Sequence, residues 1–335
     1  MKFAWNTIGQ EDIIDNLTEL SKNSNLPNSL IFTGQLGIGK STLAIEFAKY
    51  LNCLGDANCD SCIRFENANH PDLFIIDTDS KCSDNSCCKK DSTGTIIKNC
   101  VINESVISSI KFNPLIGNYK VIVINQADKL SKTSYESLLK TLEEVNGNII
   151  IILIVQNIKN IPETIVSRCQ QWKLKNIDKE KLHENLLNKF PEKNIDIEKI
   201  ISFGSPTIGE SIEMLSDPIF FEERQNSIER IIEIISAPNS RKLEYSKDLI
   251  STFRKDRNRL FFELSIWKKL FHEILSSKNL DYLQRDFSLI KKIIGLNKIK
   301  LKKNIDIVSQ TEKLITQNVN PTLCLDNMLL SLETK

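Results

Sequence analysis

Apolar residues in the first half of the chain gather into four short runs: Leu30–Phe32, Leu73–Ile76, Val121–Ile124 and Ile149–Val155. Each run is continuous and bounded by polar residues, the pattern of strands buried on both faces. Between them the period changes. Leu43, Phe47 and Leu51 recur at helical spacing within Ser41–Leu51, and a second helix is expected over Lys132–Glu144, just before the last run. Strands alternating with helices predict a parallel sheet covered by helices.

The pattern shifts after Trp172. Short helices are predicted over Asp178–Leu187, Ile195–Ser202 and Pro206–Leu215, with Pro191 interrupting. From Ile219 to Asn320 there is one proline, Pro238, and one glycine, Gly295, in a long, charged, periodic stretch. It reads as an all-helical domain. The expected organisation is therefore 1–171 as an α/β domain, 172–215 as a small helical segment and 216–335 as a helical domain. Thr78–Asn103 is the least regular part of the first half and reads as an exposed loop or small hairpin.

With 335 residues the chain has room for two or three domains. Its 44 basic and 43 acidic residues nearly cancel, which argues against a strongly basic nucleic-acid binder and against an acidic tail. The longest apolar run is far short of the ~20 residues a membrane span needs. The segment Met1–Asn6 lacks the apolar stretch of a signal peptide. A cytoplasmic protein is expected, and its nine cysteines then read as metal ligands or thiols rather than disulfides.

The most specific chemistry lies in Gly34-Gln35-Leu36-Gly37-Ile38-Gly39-Lys40-Ser41, which fits G-x-x-x-x-G-K-[ST] between a predicted strand and helix. Glycines let backbone N–H groups turn around phosphate oxygens, and a helix N-terminus adds favourable partial charge. Gly34, Gly37, Gly39, Lys40, Ser41 and Thr42 are the expected ATP contacts, with Lys40 on the phosphates and Ser41 on Mg²⁺. Hydrolysis also needs an acid at the end of a neighbouring strand. Val121–Ile124 is followed instead by Asn125-Gln126, a degenerate Walker B pair of amides without negative charge or basicity. Asp128, a few residues on, is expected to point elsewhere. ATP binding without effective hydrolysis is the reading.

Several motifs in consistent order resemble the AAA+ subunits of the bacterial sliding-clamp loader, across essentially the whole chain. They are Trp5–Gln10, Leu26–Gly34 leading into the P-loop, Asn69-His70-Pro71-Asp72, Ser137–Glu144, Ser167-Arg168-Cys169 and Asn318–Leu330. The resemblance implies a RecA-like AAA+ domain, a helical lid and a helical collar that joins subunits. Among such proteins, the motor subunits gamma and tau carry Asp-Glu where Asn125-Gln126 stands. They also carry an arginine after the Gly-Ser corresponding to Gly204-Ser205, where this chain has Pro206, Thr207 and Ile208. Tau extends beyond the collar, whereas this chain ends at Lys335. These departures imply a stationary, non-hydrolysing subunit of the DNA polymerase III holoenzyme, with little or no ATPase of its own. The implied partners are gamma or tau, delta, the sliding clamp and primed DNA, in a hetero-oligomer away from membranes. Arg168 is then an arginine finger acting in trans on a neighbour's ATP. Two other readings remain: an active gamma/tau-like ATPase, and an AAA+ scaffold unrelated to replication.

Cys59-x-x-Cys62 is a metal-type pair, with Cys53 six residues earlier. The family carries a four-cysteine zinc module here, which implies Zn²⁺ on Cys53, Cys59 and Cys62. No fourth cysteine stands at the family's position; Asp56 and Cys82 both remain open as the fourth ligand. Cys169 reads as small and buried. The basic stretch around Lys291-Lys292 and Lys298–Lys303 reads as a solvated helix face.

Overall fold

The computed structural model describes residues 3, 5–23, 25–53, 55, 59–83, 96–145, 147–202, 207–276, 297–317 and 319–333. The chain divides into two compact units, residues 1–182 with 207–209, and 183–206 with 210–335.

The first unit is built on five parallel strands: β1 (Ser29–Thr33), β2 (Leu73–Ile76), β3 (Lys120–Ile124), β4 (Ile149–Val155) and β5 (Gln170–Lys173), in spatial order β2-β3-β4-β1-β5. The helices are α1 (Glu11–Lys22), α2 (Lys40–Leu51), α3 (Asp60–Glu66), α4 (Asn99–Ile102), α5 (Lys132–Glu144) and α6 (Glu163–Val166). Successive strand residues face opposite sides of the sheet, and both sides are apolar. Ile31, Ile122, Ile124, Ile151, Leu153 and Val155 pack with α4, α5 and α6. Leu30, Phe32, Val121, Val123, Ile150, Ile152 and Ile154 pack with α1, α2 and α3. This double cover is why the strands read as unbroken apolar runs. At a coefficient of roughly 25 cal/mol per Å² of apolar surface, the two layers dominate the stability of the unit.

This is the expected RecA-like AAA+ sheet, with β4 central and β1, which leads into the P-loop, between β4 and the edge strand β5. Five elements were not expected: β5, α1, α3 and the four-residue helices α4 and α6. The edge strand β5 carries Gln170, Gln171 and Lys173 exposed to solvent, so it shows no apolar run. It is held by pairing with β1, from Leu30↔Gln170 to Thr33↔Lys173. Helix α1 carries Ile13, Ile14, Leu17 and Leu20 at helical spacing, with Ile14 and Leu17 buried, a signal the sequence reading passed over; α3, with seven residues, is too short to show a period.

The expectation of an exposed loop over Thr78–Asn103 is corrected for its described ends. Cys82, Ile97, Val101 and Ile102 are buried in the sheet core, and Ile97 bridges Leu130. Apolar residues spaced among Ser, Asp and Lys still found a core face to join. Residues 84–95, including Cys87 and Cys88, lie outside the described residues.

The second unit is helical: α7 (Lys179–Lys189, which starts in the first unit), α8 (Asn194–Ser202), α9 (Ile208–Ser216, whose first two residues also belong to the first unit), α10 (Pro218–Ile235), α11 (Asn239–Lys255), α12 (Arg257–Ser276), α13 (Lys298–Thr316) and α14 (Pro321–Ser331). Proline opens α10 and α14, where its missing N–H costs nothing. Asp217 and Asn320 cap them, accepting from the N–H groups of Ile219 (2.9 Å) and Thr322 (3.0 Å). One core joins α10 to α14 around the fully buried Trp267 and Phe271. On α13, Leu301 is buried while Lys302 and Lys303 are exposed, as a solvated basic face requires. Lys291 and Lys292 lie outside the described residues. No described helix is long and apolar enough to cross a membrane.

Candidate functional site

The P-loop joins the end of β1 to α2. Gly37 and Gly39 have φ of +75° and +94°, the left-handed region in which an L side chain is strained. A Cβ at Gly39 would meet nothing, so backbone conformation alone demands glycine there. Lys40 is buried; its Nζ donates to the carbonyl oxygens of Gly34 (2.7 Å) and Gln35 (2.6 Å). Burial lowers its pKa to about 8, with the negative charge of Asp128 pulling the other way. Ser41 and Thr42 are exposed at the first turn of α2.

Asn125 follows β3 and comes to Ser41: the Ser41 Oγ donates to Asn125 Oδ1 at 3.0 Å. An amide therefore stands opposite the P-loop hydroxyl. Gln126 sits beside it in the left-handed region, at φ +50°. Asp128, expected to point elsewhere, lies within electrostatic reach of Lys40. Its charge acts on Lys40 and on Tyr135, and its Oδ1 is shielded from solvent without a hydrogen-bond partner among the described residues. Tyr135 is fixed nearby by donating to Ala127 O (2.7 Å).

Glu46 escaped the sequence reading. It lies on the buried face of α2 between Leu43 and Phe47, and its carboxylate accepts from Asn6 N (2.8 Å), Thr7 N (2.8 Å) and Thr7 Oγ1 (2.5 Å). A lone acid on an apolar helix face was the available signal, because a buried carboxylate must find donors. Gln10 makes a second tie: its Nε2 donates to Lys175 O (2.7 Å) and its Oε1 accepts from Lys175 N (3.3 Å). Glu46 thus fastens Asn6 and Thr7 to the helix that follows the P-loop, and Gln10 ties the end of the same segment to the backbone just after β5.

The cysteines lie on the α2–α3 connection. Cys53 follows α2, and Cys59 caps α3 by accepting from Cys62 N (3.5 Å). The Sγ atoms of Cys53, Cys59 and Cys62 all lie within 4.8 Å of one another, close enough to supply three corners of a tetrahedral thiolate site. Burial, then hydrogen bonding to the other two thiols, pushes Cys62 up to about 12. Metal binding there would release protons. Asp56 lies outside the described residues. Cys82 is buried on the opposite face of the sheet, so it is not brought to the three.

The Asn69–Asp72 motif anchors this module. His70 Nδ1 accepts from Asp72 N (3.1 Å), which leaves Nε2–H to meet Ser61 Oγ (3.0 Å) on α3. Burial holds the imidazole neutral by lowering its pKa. Burial opposes the charge on Asp72, but donors from Gly117, Ile116 and Leu115 together outweigh it and lower its pKa.

Arg168 stands after α6, on the short turn into β5. Its Nε donates to Glu143 Oε1 (2.8 Å), its Nη2 reaches the same oxygen (2.5 Å), and its Nη1 donates to Thr164 O (2.8 Å). The arginine side chain retains 37% exposure. Cys169 beside it is buried, and burial raises its thiol pKa to about 12, so it is an inert packing residue. Gly204, Ser205 and Pro206 lie outside the described residues.

The family profile described as DNA polymerase III, delta subunit, matches residues 9–178, half of the chain. The chain is similar to DNA polymerase III subunit delta' of Bacillus subtilis, with 24% identity over 99% of both chains. It is also similar to subunit tau/gamma of Haemophilus influenzae, 30% identical over 65% of this chain and 31% of that one. Subunit gamma/tau of Mycoplasma genitalium is 26% identical over 94% of this chain and 50% of that one. The chain thus spans a third to a half of these two gamma/tau relatives. The matched stretch takes in the P-loop, the cysteine pair and Ser167-Arg168-Cys169, and on this evidence the chain belongs to the DNA polymerase III delta subunit family of clamp-loader subunits.

Proposed function

We propose that this chain is a non-hydrolysing member of a sliding-clamp loader, a stator that completes a neighbouring subunit's ATP site with Arg168. The observation that carries the first half is Asn125 at 3.0 Å from Ser41, where a metal-positioning carboxylate would be needed. An amide offers an oxygen but neither charge nor basicity. The residues suit nucleotide binding: Gly34, Gly37, Gly39, Lys40, Ser41 and Thr42 would hold ATP and its Mg²⁺. The second half rests on Arg168, whose planar, always-charged guanidinium suits phosphate. The partners in this reading are gamma or tau, delta, the clamp and primed DNA. Residues 1–171, 172–215 and 216–335 would serve as nucleotide-binding domain, lid and collar.

The isolated chain should bind MgATP and show no turnover above background. Steady turnover that is abolished in Lys40→Ala would replace the stator with a gamma/tau-like motor. Asp128 is the specific observation favouring that second reading, since it is a shielded carboxylate whose charge reaches Lys40.

The cysteine cluster carries its own expectation. Purified protein should hold about one zinc per chain, with three thiolates supplied by Cys53, Cys59 and Cys62. Cys62→Ser should lose the metal, read by elemental analysis. Metal-free protein whose three thiols all react freely would remove zinc from the account.

A further inference from the structure

The way Arg168 is held says how it would be aimed. A guanidinium has five N–H groups: one on Nε and two on each Nη. Here Nε and Nη2 both go to Glu143 Oε1, and Nη1 goes to Thr164 O. That accounts for three. The remaining two are one on Nη1 and one on Nη2, with Ser167 Oγ at 3.4 Å from Nη1 as a weak further contact. Two parallel N–H groups on the two Nη atoms are what a bidentate contact to phosphate oxygens uses.

Glu143 is also an odd residue for its place. It is the penultimate residue of α5, a helix with no basic residue in its last turn and with Glu143 and Glu144 at its end. The helix dipole is negative there and disfavours a carboxylate by roughly 0.3–1 kcal/mol. The pair with Arg168 is half exposed, and such pairs add little to folding. Neither helix formation nor stability accounts for a glutamate at this position. Fixing a long, flexible side chain does: a free arginine must give up rotamer freedom before it meets phosphate, and one already clamped has done so.

We propose that Glu143 is a positioning residue for Arg168. It grips the Nε edge of the guanidinium so that the Nη edge faces out of the chain, ready for a phosphate of the neighbouring subunit. This rests on the trans-acting reading of Arg168 given above.

The test uses the complete assembly with its gamma/tau-type ATPase, clamp and primed DNA. ATP turnover is measured with this chain as wild type, Glu143→Ala, Glu143→Gln, Arg168→Ala and the double variant Glu143→Ala/Arg168→Ala. Glu143→Ala should lower kcat about tenfold, the scale of one coupled contact, and leave KM for ATP unchanged. Glu143→Gln keeps an acceptor oxygen and should fall between it and wild type. In the Arg168→Ala background, Glu143→Ala should add nothing. If Arg168→Ala lowers kcat but Glu143→Ala leaves it unchanged or raises it, the positioning role is wrong and the finger stands. A full Glu143→Ala loss on top of Arg168→Ala would make the glutamate merely structural and overturn the proposal. If Arg168→Ala itself has no effect, the finger reading falls and this proposal with it.

Discussion

Replacing Arg168 by alanine should lower ATP turnover of the assembled clamp loader by about 10³-fold or more, the scale of an arginine finger supplied in trans. The reasoning is electrostatic. Charge spreads over the phosphoryl oxygens as the bond to the leaving group breaks, and a fixed guanidinium stabilises that charge without reorganising. Lysine at this position should recover little, since it is a point charge and cannot hold Glu143, Thr164 O and phosphate together. Assembly itself should survive, because Arg168 is partly exposed and its polar contacts lie within its own chain, to Glu143 and Thr164. Gel filtration of the variant complex checks this, and steady-state turnover reads the effect.

The second large effect concerns the chain's own P-loop. Lys40 has its pKa lowered to about 8 because it is buried, and Asp128 only partly offsets that. Phosphate favours the charged form. Below pH 8 the lysine is already protonated and nucleotide affinity should be flat with pH. Above pH 8 binding must take up a proton, so Kd should rise about tenfold per pH unit until the bound-state pKa is reached. An unburied lysine would not show this bend until near 10.4. Lys40→Ala should bind at least about tenfold more weakly at pH 7, the loss of a charge-assisted contact, and show no bend at all. Titration of the isolated chain with a fluorescent ATP analogue between pH 6.5 and 9.5 measures both.

Much of this architecture is legible in the residues. Ile149–Val155 announces a strand covered on both faces because every residue in it is apolar, and its alternating halves do fill two separate cores. The P-loop is legible because its glycines answer a backbone requirement that few other residues can meet. β5 is hidden for the opposite reason: an edge strand with Gln170, Gln171 and Lys173 exposed is specified by its hydrogen bonds to β1, not by an apolar pattern. The ties made by Glu46 and Gln10 span 39 or more residues of sequence, so spacing alone carries no trace of them. Asp128 shows how sequence distance misleads. A turn over Ala127–Lys129, entered through left-handed Gln126, returns a residue expected to point away to within electrostatic reach of Lys40. Glu143 lies within the recognised Ser137–Glu144 motif, yet only the fold shows that it grips Arg168.

The central claim is that this chain acts on a neighbour's ATP and does not burn its own. The most direct measurement compares two complete assemblies, one with Lys40→Ala in this chain alone and one with Arg168→Ala in this chain alone. Turnover close to wild type for Lys40→Ala and a collapse for Arg168→Ala is the predicted result. A collapse for Lys40→Ala, with Arg168→Ala unchanged, would contradict it and make this chain a motor.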